Sequence, residues 1–161
     1  MVNKILSATF ALALLLTQVA HALPQEPEPT PTCDPFNPPT PSPLRAVHST
    51  RFDNGNGSMA TVACSNGVNG LETEFPTFGD VPSFPFIGGA FDIVWNSTNC
   101  GSCWNITNPA TGLSIQMTAI NVAGVGFNIA QSAFANLTNG DTNVDVIEVV
   151  ANKLSGTPCG S

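Results

Sequence analysis

Charge is scarce in this chain, and positive charge is nearly absent. Lys and Arg together number 4 against 11 Asp and Glu, charged residues make up 9% of the 161, and the formal net charge is −7. Such an acidic surface repels nucleic acid and polyanionic polymers such as pectin, so a neutral or cationic partner is the better match. Solubility must come from Asn, Ser, Thr and Gly. Long apolar runs are also missing beyond the first residues. Ile5 to Leu16 is apolar apart from Ser7 and Thr9, with Lys4 before it and Ala20-His21-Ala22 after it. That is the pattern of a cleaved secretory leader over residues 1–22, and it is too short to span a membrane. No second apolar run of spanning length follows, nor a hydrophobic tail that would suit a lipid anchor. The expectation is a secreted, extracellular protein without a membrane segment. Without residues 1–22, three basic residues (Arg45, Arg51, Lys153) face 11 acidic ones, a formal charge of −8.

Residues 23–44, LPQEPEPTPTCDPFNPPTPSPL, are dominated by proline and carry no apolar period. They read as an extended, partly polyproline-II tail. The folded domain is expected over 45–161. Asp53-Asn54-Gly55-Asn56-Gly57, Ser65-Asn66-Gly67 and Asn69-Gly70 are turn signals. Candidate strands are 46–52, 90–95, 104–107, 114–120 and 144–151. In the last of these, Val144, Val146 and Val150 face one way and Ile147, Val149 and Ala151 the other, which predicts cover on both faces. One helix is predicted over 129–138 from Ala130, Ala133, Phe134 and Leu137, with Asn128 as its N-cap, Gln131 as reciprocal partner and Asn139-Gly140 as its end. Many short strands with one helix predict a small, mainly β barrel.

The segment Cys100-Gly101-Ser102-Cys103-Trp104 matches the local signature of a papain-type nucleophile. Inventory excludes that chemistry. No histidine follows Cys103, and His48 sits upstream in a predicted strand, where a polar strand residue is the simpler reading than a catalytic base. One Cys-x-x-Cys with distant single cysteines does not make a zinc site, and no metal or cofactor is expected. A redox pair needs a reactive thiolate beside a helix in a βαβ unit. Structural disulfides are the default for a small secreted domain. Cys64, Cys100, Cys103 and Cys159 allow three pairings; joining Cys100 to Cys103 would leave the rest unstapled, and the sequence leaves the other two open. Cys33 remains over, free, adducted or linking two chains of an otherwise monomeric protein. Four sequons, at Asn56, Asn96, Asn105 and Asn136, are candidate N-glycan acceptors.

The segments NGSMATVACSNGVNGLETEFPTFGDVPSFPFIGGAFD, NCGSCW and GFNIAQSAF together resemble the cerato-platanin family of small secreted fungal proteins, in order across nearly all of 45–161. The resemblance implies a six-stranded double-ψ β-barrel like that of expansins, with one or two short helices. It implies disulfides Cys64–Cys100 and Cys103–Cys159. It also implies a shallow groove for chitin (N-acetylglucosamine) oligomers, location at the fungal cell wall and action as an elicitor on plants, through receptors at the plant cell surface. By resemblance the groove residues are Asp53, Ser58, Asn121 and Asn128. The family carries an aspartate at the position of Asn121, matching the catalytic acid of related hydrolase barrels. Asparagine cannot serve as a general acid or base, although its amide can bond sugar hydroxyls. With asparagine there, ligand affinity is expected to stay flat across mildly acidic pH. The chain is also one residue shorter than the family between Asp92 and Trp95, which moves the loop carrying Asn96.

Hydrolysis of a glycosidic bond calls for two flanking carboxylates. The candidates are Asp53, which begins a turn, and Asp92, which has backbone donors to satisfy. With no third acid, the sequence favours a non-catalytic binder over two alternatives: a weak expansin-like, wall-loosening or polysaccharide-active protein, and a surface-active coat protein that self-assembles. Trp95 and Trp104 can stack on a sugar ring, with Trp104 expected in the core. Phe75, Phe78, Phe84, Phe86 and Phe91, interleaved with prolines, are expected to pack a long loop over the barrel.

Overall fold

The computed structural model describes residues 43–141, 143–155 and 158–160. The expected leader, the proline-rich stretch up to residue 42 and Cys33 lie outside the described residues. Strands β1 (Leu44–Ser49), β2 (Ile87–Ala90), β3 (Cys103–Thr107), β4 (Ser114–Val122), β5 (Phe127–Ala130) and β6 (Val146–Lys153) close in the order β1-β5-β2-β4-β3-β6. The β1–β5 and β2–β4 pairs are parallel and the other four antiparallel. With helix α1 (Gln131–Leu137), three 3-10 turns and two disulfides, this is the double-ψ β-barrel of the sequence reading. The bridges are Cys64–Cys100 and Cys103–Cys159, 36 and 56 residues apart in sequence.

Period-two alternation fills the barrel. Ile115, Met117 and Ala119 of β4 point inward to meet Ile106, Phe127, Ile129, Ala46 and Val149, all buried. Each large side chain removed from water in this way contributes about 1.5–3 kcal/mol before entropy is set against it. The long connection from β1 to β2 closes one flank with Met59, Phe75, Phe78 and Val81, also buried, and Phe84 and Phe86 pack against them half-buried. Phe91, by contrast, stays 43% exposed. Trp104 takes its expected place in the core, its ring 5.6 Å from Phe91 and 5.4 Å from Phe127. His48 lies on β1 with its ring 4.8 Å from that of Phe134, a packed strand residue as expected.

Four local expectations need correction. The first strand, expected over 46–52, is Leu44–Ser49, and Thr50–Asp53 forms a 3-10 turn. The second strand is Ile87–Ala90, not 90–95, where the chain turns instead. Gly88 and Gly89 look like breakers, yet a Cβ on Gly88 would stand 2.5 Å from the Asn128 carbonyl oxygen, so glycine is what lets β2 press against β5. The residues expected to begin the helix form β5, and α1 starts only at Gln131. On β6, Ile147, Val149 and Ala151 face inward, but Val146 and Val150 are about half exposed, so one face is covered and not two.

Candidate functional site

Asp53 ends the 3-10 turn Thr50–Asp53, which buried Phe52 anchors to the core. Its carboxylate accepts hydrogen bonds from the backbone N–H groups of Gln131 (2.8 Å) and Ser132 (2.9 Å). Those are first-turn donors of α1, whose own cap residue, Ala130, has no side chain able to satisfy them. Asp53 is therefore the helix cap, supplied from another element, with its negative charge at the positive end of the helix dipole. Asn128 is not a cap. It sits within β5, and its Oδ1 is buried with no hydrogen-bond partner among the described residues.

Asn128 and Asn121 share one lateral row. Gly89 of β2 pairs with Asn128 of β5 on one side and Asn121 of β4 on the other. A register shift between Gly88 and Gly89 sets this row, because Gly88 pairs with Ala119 and one residue of β4, Ile120, is left over. Two neutral amides thus flank a strand residue without a side chain, at strand spacings that put their Cα atoms roughly 10 Å apart. The Asn121 Oδ1 accepts from Ala63 N at 2.9 Å, which leaves its NH2 group to donate elsewhere. Ser58 is exposed, pairs in a bridge with Thr77, and its Oγ accepts from Ala60 N at 3.3 Å. Of the four groove residues expected, the structure aligns Asn121 and Asn128, while Asp53 and Ser58 hold turns together.

Asp92 belongs to a separate network. Its Oδ2 lies 3.4 Å from Lys153 Nζ, which also donates to Asn99 Oδ1 at 2.6 Å and stands 5.7 Å from the centre of the Trp104 ring. The other carboxylate oxygen of Asp92 is buried without a hydrogen-bond partner among the described residues. No group of His, Cys, Asp and Glu that could hold a metal ion occurs among the described residues. A concavity of about 400 Å³, lined by Leu113, Ala135, Asn136, Asn139 and Gly140, contains none of the expected groove residues, although Asn136 is one of the candidate N-glycan acceptors.

Sequence reasoning missed the partners of Trp95. The indole is 64% exposed, and its Nε1–H donates to Asn66 Oδ1 at 3.0 Å. Beside it, Asn96 Oδ1 accepts from Asn69 N (3.0 Å) and the Asn96 carbonyl from Asn69 Nδ2 (2.9 Å). Asn66 and Asn69 had registered only as turn formers, since their side-chain partners lie 27 and 29 residues away. Among the sequons, Asn56 and Asn136 are exposed, and Asn96 and Asn105 are half-buried.

Comparison with known proteins agrees with this architecture. The cerato-platanin family model matches residues 45–160. The chain is 52% identical over 99 residues to Allergen Asp f 15 of Aspergillus fumigatus, covering 61% of this chain and 64% of that protein. It is 41% identical over 106 residues to cerato-platanin of Ceratocystis fimbriata f. sp. platani, covering 62% of this chain and 78% of that one. The match thus spans just under two thirds of the Aspergillus relative. Among solved structures, cerato-platanin 2 of M. perniciosa superposes with a TM-score of 0.66 at 45% identity, over 70% of this chain and 94% of that one. An expansin of Clavibacter michiganensis, 18% identical with a TM-score of 0.50 over 73% of this chain and 51% of that one, shares the fold. The barrel, its two bridges and the matched family model together show that the chain belongs to the cerato-platanin family.

Proposed function

We propose that this is a secreted, non-catalytic, wall-associated protein that binds chitin-type oligomers across the Asn121–Gly89–Asn128 row and that plants perceive as an elicitor. The row carries the reading: two neutral amides stand on β4 and β5, one on either side of Gly89 of β2, which has no side chain. One of the two, Asn128, has a buried side-chain carbonyl oxygen with no hydrogen-bond partner among the described residues. Planar amides are suited to sugar hydroxyls, which donate and accept at once. The leader pattern and the similarity to secreted fungal relatives support export. A relative of this fold, 36% identical with a TM-score of 0.63, is described as a fungal elicitor, which supports the role toward plants.

Catalysis lacks its parts. Both oxygens of Asp53 are engaged by the amides of α1, Asp92 is tied to Lys153, and the remaining row position is an asparagine. Titration with N-acetylglucosamine oligomers, followed by backbone amide shifts, tests the proposal. Shifts are expected at Ala63, Gly89, Asn121 and Asn128, and a spectrum unmoved there at saturating oligomer rejects it.

A further inference from the structure

We infer that Trp95 is a second sugar-contact point, an aromatic platform beside the amide row that stacks on a ring of a longer oligomer and favours N-acetylated units. This inference rests on the binding reading above and extends it to a residue that the row does not contain. The two tryptophans have opposite surroundings: Trp104 is 7% exposed and Trp95 64%. A wide-open indole forfeits burial energy, and here it is also held in one orientation.

Three features hold it. Asn66 Oδ1 takes the indole N–H. Asn96, the next residue in the chain, has φ +57, a conformation non-glycine residues rarely adopt, and two hydrogen bonds with Asn69 fasten it there. Gly67, at φ +95, seats against the Asn96 side chain where a Cβ would lie 2.5 Å from Oδ1. A ring fixed before a ligand arrives loses little freedom on binding.

The surroundings select the ligand. No residue of 64–71 or 93–101 is charged, so the face suits a neutral ring. Val94 and Val68 are 63% and 95% exposed on the two segments that this cluster joins. Their methyl groups can cover an acetamido methyl, and a plain hydroxyl at that place would gain nothing. Position links the platform to the row. The segment that supplies Asn66 also supplies Ala63 N to Asn121 Oδ1 (2.9 Å) and Cys64 N to the Ile120 carbonyl (3.1 Å). Asn66 is three positions after Ala63, at most about 10 Å of chain. An oligomer that runs from the row past Asn121 toward this segment is expected to meet Trp95, and comparing a hexamer with a dimer tests that reach.

The test is calorimetric titration of the full secreted protein with chitobiose, chitohexaose and cellohexaose, for the wild type, Trp95→Ala, Trp95→Phe and Asn66→Ala. Melting midpoints confirm that each variant is folded. The wild type is expected to bind chitohexaose more tightly than the dimer, and more tightly than cellohexaose. Trp95→Ala should weaken hexamer binding about ten-fold and leave the dimer unchanged. Trp95→Phe should keep most of the affinity, and Asn66→Ala should fall between them. A Trp95→Ala protein that binds the hexamer like the wild type, or that weakens dimer and hexamer equally, overturns the inference while the amide row stands. Equal affinity for cellohexaose removes the preference for N-acetyl groups. A wild type that binds no oligomer overturns both readings.

Discussion

Two aspartates in this protein, Asp53 and Asp80, each end a 3-10 turn, and their hydrogen bonds give them separate structural tasks. Asp53 receives two amides from α1 and so fixes where β1 meets the helix. Asp53→Ala leaves both donors without a side-chain acceptor and should cost about 1–2 kcal/mol in urea unfolding, whereas Asp53→Asn, which can still cap, should cost less. Asp80 is exposed and accepts from Thr77 Oγ1 (2.7 Å) and Thr77 N (2.8 Å). The Thr77 side-chain bond first, and then the backbone bond, hold its carboxyl below the ordinary 3.8. A depressed value means that the unfolded chain takes up the proton first as pH falls. The stabilisation is thus complete above about pH 5 and is lost as the pH drops through the lowered value. Asp80→Asn should flatten the acid limb of the melting midpoint against pH, and an unchanged limb would remove Asp80 from the account.

At the scale of elements, local signals placed most strands but failed where the controlling contact is remote. Ser114 to Ile120 alternates cleanly and became β4, extended by two residues to Val122. The helical period of Ala130, Ala133, Phe134 and Leu137 is real, but nothing nearby shows that Phe127–Ala130 pairs with β1 and β2. The cap of α1 is likewise 78 residues from the amide it serves, beyond the reach of any capping rule read from adjacent residues. Gly88 and Gly89 illustrate the same limit, since a glycine needed for close approach cannot be told in sequence from one that breaks a strand. The amide row was invisible as a row because register between strands is a tertiary fact. The bridges join these remote pieces: Cys64 ties the loop beside β4 to the turn before β3, and Cys103 ties β3 to the end of the chain. On the loop-entropy estimate each contributes about 4 kcal/mol. Net stabilities of domains are only about 5–15 kcal/mol, so losing one bridge should be severe. Replacing Cys103 and Cys159 together by Ser should lower the melting midpoint by about 15–30 °C. A smaller loss, under about 5 °C, would mean that the barrel holds its C-terminal segment without help.

At the largest scale, the described domain is a closed barrel in a chain with few charged residues, and that limits its chemistry more than any single residue does. Cleaving a glycosidic bond requires a protonated and an ionised carboxyl on either side of it. On this barrel the lateral row offers amides, Asp53 is spent on α1, and Asp92 is paired with Lys153. Restoring an acid by Asn121→Asp supplies one carboxylate to a reaction that needs two. Incubation with chitin or β-glucan is therefore expected to release no reducing ends above background from the wild type, and none from Asn121→Asp. Asp53→Asn is the discriminating control, because an asparagine keeps one acceptor for the helix amides while the acid is lost, and the melting midpoint reads the cost of the second bond. If the wild type released reducing ends and Asp53→Asn abolished the release with its melting midpoint intact, the Asp53 carboxylate would have a catalytic task that its two bonds to α1 conceal. If both proteins are silent and both bind the same oligomers, recognition without turnover is the function that the barrel supports.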